Sequence, residues 1–266
     1  MISSKSYGLQ NETRQYLRRL YAYGKELAGT DVNDVDNFVK GLKQLNLWQN
    51  IVCWPMRSIH NIGTGSTVLS MGGLGIFDGT AINSPSWGIN GIDNITNTTG
   101  YIELQLNLNN KGLLSTGCTL GSLATDHNTT NYGQSIGNET TGSWTGATGI
   151  AYTSTSTIYY FIGNGTGGYT GSKNNLYIVT ASGSTNTLFS NGSQVSTDTR
   201  TRVNFTNTRI TLLAGRSGST ESGSILYHLN ARMALGFIGN KVFNSLEVSS
   251  FYTLYKQTIG KGLGLP

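Results

Sequence analysis

Tyr101-Ile-Glu-Leu-Gln-Leu-Asn-Leu108 alternates polar and apolar residues with a period of two, and Ser190-Asn-Gly-Ser193 sets an Asn-Gly dipeptide between two short apolar runs. The first pattern is that of a strand with one face in a core and one in water. The second is a strong short-range hairpin signal, because two-residue hairpin turns need positive φ at both central positions. Working outward, further runs read as strands at 66–70, 76–82, 143–152, 157–162, 176–181, 187–190, 194–197, 209–214 and 231–238, separated by Gly, Asn, Ser and Thr clusters. Many short strands at such spacing predict an antiparallel sandwich or barrel.

The ends of the chain have another character. Residues 11–28 place Leu17, Leu20, Tyr21, Gly24, Leu27 and Ala28 on one helical face. Residues 30–45 do the same with Val32, Val35, Phe38, Val39, Leu42 and Leu45, behind Asp31, Asp34 and Asp36 in or near the first turn. Neither helix would be stable alone, so both must pack on something: the sandwich or a partner protein. A third helix follows Ser245 as its N-cap, with Val248, Phe251, Tyr252 and Tyr255 on one face. The expected organisation is a helical docking segment at 1–58 and a β-sandwich at 59–266.

Composition narrows the function classes. Of 266 residues only 12% are charged, and the net charge is +5, against about 25% charged in an average soluble chain. The densest basic group, Arg14, Arg18, Arg19 and Lys25, lies on one predicted helix; it reads as a solvated face, or as an anchor through Arg14, Arg18 and Lys25 to an acidic partner. No nucleic-acid partner and no membrane span are expected. Cys53 and Cys118 are too few and too far apart for a disulfide framework or a zinc site. Residues 1–7 carry no apolar leader core, so synthesis in a cytoplasm without a signal peptide is expected.

Several stretches resemble concanavalin A-like, LamG-like jelly-roll domains. Thr187-Leu-Phe-Ser-Asn-Gly-Ser-Gln-Val-Ser-Thr197 resembles a strand-turn-strand of that family, Leu212-Leu-Ala-Gly-Arg216 and Met233-Ala-Leu-Gly-Phe-Ile238 later strands, and Phe243–Tyr255 its closing helix. Val35–Trp48, Gly72–Gly88 and Tyr255–Gly264 are similar to segments of tailed-phage structural proteins that carry such a sandwich. The resemblance implies an all-β fold: an antiparallel jelly-roll β-sandwich of the concanavalin A-like kind, with an N-terminal helical hairpin and a short C-terminal helix. It also implies a non-enzymatic virion structural protein, exposed on a phage particle as a capsid decoration or tail or fibre component. Its partners would be other virion proteins and further copies of itself.

A glycoside hydrolase on this sandwich needs two facing carboxylates, and beyond residue 60 no two acids lie closer than ten residues in sequence. Asp126-His127 is the most tempting dyad and reads as loop hydrogen bonding; Gly215-Arg-Ser-Gly-Ser219 lacks the strand-to-helix setting of a nucleophile elbow. No catalytic residue, cofactor or metal is expected, since Ca²⁺ wants six to eight oxygens and the loops are poor in acids. A host-surface glycan is the alternative partner: Tyr132, Trp144 and Tyr169 sit in Asn/Gly/Thr-rich surroundings suited to stacking on a sugar, although Trp144 reads equally as a buried sandwich residue. A polysaccharide-cleaving enzyme is the remaining expectation.

Overall fold

The computed structural model describes residues 8–96, 99–109, 113, 115–127, 132–140, 143–153, 156–163, 165–205, 209–218 and 223–266, with backbone alone for 139–140 and 143–145. The described residues form two sheets and three α-helices. The first sheet runs β14 (Ser193–Thr199), β13 (Thr185–Ser190), β12 (Leu176–Ser182), β7 (Gly117–Thr125), β18 (Arg232–Gly239), β5 (Gly91–Asp93) and β4 (Ser86–Gly88), with β1 (Ile51–Pro55) also on β18. The second runs β11 (Gly167–Thr170), β10 (Thr157–Ile162), β9 (Ser143–Tyr152), β8 (Gly133–Thr140), β15 (Arg209–Leu212), β6 (Tyr101–Asn107), β3 (Gly79–Ile82) and β2 (Thr67–Val68). An arm of β16 (Gly215–Ser217) and β17 (Ser224–Leu226) attaches to β8. Among the described pairings only β16 on β8 is parallel.

The sheets pack face to face. Leu120, Val179, Met233 and Ile238 from the first meet Ile102, Leu104, Ile150 and Ile158 from the second in one apolar core. A hydroxyl pair, Ser122 with Ser135 at 2.7 Å, also joins them. The Asn191-Gly192 hairpin forms as expected: φ is 48° and 84° at its two residues, and β13 pairs with β14 across it.

A third layer covers the outer face of the first sheet. Helices α1 (Asn11–Ala22), α2 (Gly29–Gln44) and α3 (Ser245–Gln257) bury their apolar sides with Leu123, Ile178, Leu235 and Phe237 of the sheet. Phe251 of α3 lies 4.6 Å from Phe237 of β18 and 6.1 Å edge-on from Phe38 of α2, ring centre to ring centre. One phenyl ring thus ties both helices to the sheet. Phe237 fits because Gly121 lies beneath it; a Cβ there would come within 2.4 Å of the ring. Likewise α2 and α3 approach closely at Gly41, where a Cβ would meet Leu254 at 2.3 Å.

Three expectations shift. Helix α1 ends at Ala22 and buries Thr13, Tyr16 and Leu20, leaving Tyr21 largely exposed. Its contact face is therefore turned from the one read off Leu17, Tyr21 and Gly24, because the Tyr16 hydroxyl donates to the His60 carbonyl. The cap of α3 is Asn244, not Ser245: its side chain accepts from the Glu247 N–H, and Glu247 answers on the Asn244 N–H. Residues 51–55, inside the expected helical segment, form β1 within the first sheet.

Replacing Phe251 by Ala removes the ring shared by three elements and is expected to cost about 3–5 kcal/mol of unfolding free energy. Denaturant titration of the variant against the wild type measures it.

Candidate functional site

In β9 and β10 the alternation is strict. Thr148, Ile150, Tyr152, Ile158 and Tyr160 are buried, with the apolar ones in the core between the sheets, while Ala147, Ala151, Phe161 and Tyr159 face the other way. That outer face of the second sheet carries a small apolar cluster. Ala147, Ala151 and Phe161 form its floor, and Tyr132 and Tyr159 pack against it, both partly exposed. Phe161 lies flat over Gly149, where a Cβ would touch the ring at 3.0 Å. The Tyr132 and Tyr159 rings are 6.0 Å apart, and Tyr227, just beyond β17, meets Tyr132 edge-on at 4.8 Å. Tyr227 is 37% exposed.

The face continues toward β6 with polar groups. Glu103 holds Arg209 at 3.2 Å and Arg216 at 3.1 Å. Arg216 is buried and also donates to the Gly223 carbonyl, so it pins the β16–β17 arm over the sheet. Tyr101 and His228 lie 6.1 Å apart, ring to ring, nearby. Aromatic faces flanked by fixed hydrogen-bonding groups are what an amphipathic ligand needs.

The residues expected from sequence are not brought together. Tyr132 is on this outer face. Tyr169 stands opposite Ile158 in register, packs on the inter-sheet core and meets Tyr177 at 6.4 Å, so it lies on the other side of the sheet. Trp144 is on β9, and its side chain lies outside the described residues. Tyr159 and Tyr227 were missed. The signal for Tyr159 was present, since alternation in Thr157–Ile162 must turn Tyr159 away from the core once Ile158 and Tyr160 face it. On α1, Arg18 is exposed and Arg14 half-buried, and Lys25, beyond the end of the helix, is half-buried as well. The residue that docks the helix is Arg19, which donates to the Ser70 carbonyl and pairs with Asp78.

Several of the carboxylates that could make or break bonds are held by cations. Asp93 and Asp126 come together only by sharing Arg232. Asp198 pairs with Arg200 and Glu247 with Lys241. The Asp126-His127 dyad does not form: His127 Nε2 sits against the Ala124 and Lys173 carbonyls at 2.8 and 2.9 Å, while Asp126 turns to Arg232. Burial, with the Arg57 charge adding to it, pushes the His60 imidazole down to about 3. Burial also pushes the Cys118 thiol up to about 12 and raises that of Cys53 further. The clearest surface hollow, between α2 and α3 around Gly41, Leu45, Ser249 and Leu254, is lined by no ionisable side chain.

No family model matches the chain, and no curated protein matches it. Solved structures do. A mutant of Trypanosoma rangeli sialidase displaying trans-sialidase activity superposes with a TM-score of 0.54 at 13% identity, over 86% of this chain and 40% of that one. Trypanosoma rangeli sialidase in complex with sialic acid gives 0.52 at 14% identity, over 85% and 39%. The chain therefore spans about two fifths of the length of these sialidases. At such identity the likeness is one of fold. The expectation of a non-enzymatic virion structural protein of a tailed phage is corrected here: these structural neighbours are sialidases, one of them in complex with sialic acid.

Both thiols being buried and protonated, Ellman's reagent should react with neither in the folded protein and with both in denaturant. Rapid labelling of either cysteine in the native state would contradict the burial described.

Proposed function

We propose that the chain is a carbohydrate-binding module that recognises a glycan on the outer face of its second sheet and does not cleave it. The observation that carries this reading is the cluster of Tyr132, Tyr159 and Tyr227, three partly exposed rings converging on one face. Sugar rings present apolar C–H faces and hydroxyl edges. Tyrosine offers an apolar face and a polar tip in one stiff side chain, at low cost in conformational entropy. Glu103 and Arg209, both partly exposed, border the same face with hydrogen-bonding groups of both kinds. We read the sandwich as a concanavalin A-like jelly roll, and the alignment with about two fifths of each sialidase supports a module that serves recognition in company with other domains.

The absence of cleavage is part of the proposal. Its support is the pairing of Asp78, Asp93, Glu103, Asp126, Asp198 and Glu247 with Arg or Lys. A hydrolase acid needs its proton available and its partner carboxylate facing the same bond. Carboxylates locked against guanidinium groups supply neither.

Purified protein screened on a glycan array, followed by calorimetry on the best ligand, tests the reading. Tyr159→Ala is expected to weaken binding about tenfold, equivalent to about 1.4 kcal/mol. Tyr169→Ala, on the opposite side of the sheet, should leave affinity within about twofold while lowering stability. Lack of binding across sialylated and neutral glycans would refute the module, and release of reducing sugar would replace it with an enzyme.

A further inference from the structure

A second cluster of chemistry lies on the other side of the molecule, where α2 meets the turn after β1. Asp31, in the first turn of α2, and Asp34, in the second, are three residues apart and so share one face. His60 closes the turn that starts at Arg57, its N–H donating to the Arg57 carbonyl at 2.9 Å. One side-chain donor atom from each of Asp31, Asp34 and His60 lies within 4.8 Å of the other two.

Two acids at a helix N-terminus are ordinary, because the helix dipole favours them. The histidine is not. His60 is 1% exposed, and both its ring nitrogens lack a hydrogen-bond partner. Leaving such a group unsatisfied in a core costs about 1–3 kcal/mol, and one of its ring nitrogens lies within 4.8 Å of a carboxylate oxygen of each aspartate. Neither Asp31 nor Asp34 forms an ion pair among the described residues. Arg57 and Lys261 are within electrostatic reach of Asp34, and Arg57 of Asp31 as well. Yet the Arg57 guanidinium is committed to the carbonyls of Ile89, Ile259 and Lys261. The turn that carries His60 is held firmly. The Asn61 side chain donates to the carbonyls of Pro55 and Leu69 and accepts from the N–H groups of Ile62 and Leu69, and Tyr16 donates to His60 itself.

We propose that Asp31, Asp34 and His60 bind one divalent first-row transition ion, with Zn²⁺ as the reference, and that the ion clamps helix α2 to the sandwich. The donor set decides the class. One imidazole and two carboxylates suit Zn²⁺, Co²⁺ or Mn²⁺, with remaining positions for water, whereas Ca²⁺ calls for six to eight oxygens. A shell of 2.0–2.1 Å bonds sets ligand atoms about 3.3 Å apart. The half-exposed aspartates reach that by small side-chain rotations, while His60 stays fixed. The two carboxylates balance the ion's charge, and Arg57 and Lys261 beside them moderate its affinity.

The test uses the full chain without a histidine tag, freed of metal by chelation. Calorimetry with ZnCl₂ should give one equivalent bound, Zn²⁺ should raise the melting temperature where CaCl₂ does not, and Co²⁺ should develop visible ligand-field bands. His60→Gln should weaken Zn²⁺ binding by at least about tenfold. Should that variant fail to fold, the double variant Asp31→Asn/Asp34→Asn, altered only at half-exposed positions, should abolish the Co²⁺ bands with native circular dichroism. Absence of stoichiometric Zn²⁺ binding, or binding that survives the double variant, overturns the site.

Discussion

The central strands of the first sheet are buried on both faces, and the rest of the molecule follows from that. Six of seven residues of β12 and seven of eight of β18 are buried. One side of these strands meets the second sheet and the other meets helices. Without α1, α2 and α3 the outer side would present Ile178, Leu235 and Phe237 to water as one apolar patch, the kind of surface that associates. The helices are therefore a structural layer of this fold. Phe251, between Phe237 and Phe38, is where their attachment is concentrated.

This arrangement also decides where function can lie. With one face of the first sheet under helices and both inner faces in the core, the outer side of the second sheet is where partly exposed aromatic rings meet. There the β16–β17 arm, pinned by Arg216 to Glu103, lays Tyr227 against Tyr132 and turns a flat strand surface into a rimmed one. The same scaffold in sialidases is part of a much longer chain, and fold alone does not carry an activity from one protein to another. The reading as a glycan module stands on the rings and on the engaged carboxylates.

Much of the fold was legible where local signals were strong. The alternation in Tyr101–Asn107, the Asn191-Gly192 turn and the stripe Val35, Phe38, Val39 and Leu42 each translate directly into an observed element. Strands β1, β7 and β8 were not legible, for a physical reason. Gly117–Thr125 has no polar–apolar alternation because both its faces are buried, and it places Thr119 and Ser122 inside. Thr119 is satisfied there by the Lys241 carbonyl and the Phe243 N–H, and Ser122 by Ser135, partners that sequence spacing cannot reveal. The site was less legible still. Tyr132 and Tyr169 look alike in sequence, yet the register of β10 with β11 puts Tyr169 inside, whereas Tyr132 packs on the outer face. The bulges in β8 between Gln134 and Ile136 and between Asn138 and Thr140 further break the period on which any such assignment depends.

Scarcity of charge sharpens what remains. In a chain with thirteen acidic residues, Glu12, Asp78, Asp93, Glu103, Asp126, Asp198 and Glu247 all face a Lys or Arg in the structure. These pairs sit mostly half-exposed, where each contributes modestly to stability, and several of them fasten one element to another: Arg19 to Asp78, Arg232 to Asp93 and Asp126, Arg209 and Arg216 to Glu103. Asp31 and Asp34 depart from that pattern. They face a buried imidazole that itself lacks a partner, and the nearest guanidinium has turned to backbone carbonyls. In a protein that uses Glu12, Asp78, Asp93, Glu103 and Asp126 as struts between elements, two acids and a histidine at the junction of α2 and β1 fit the same role through a different bond.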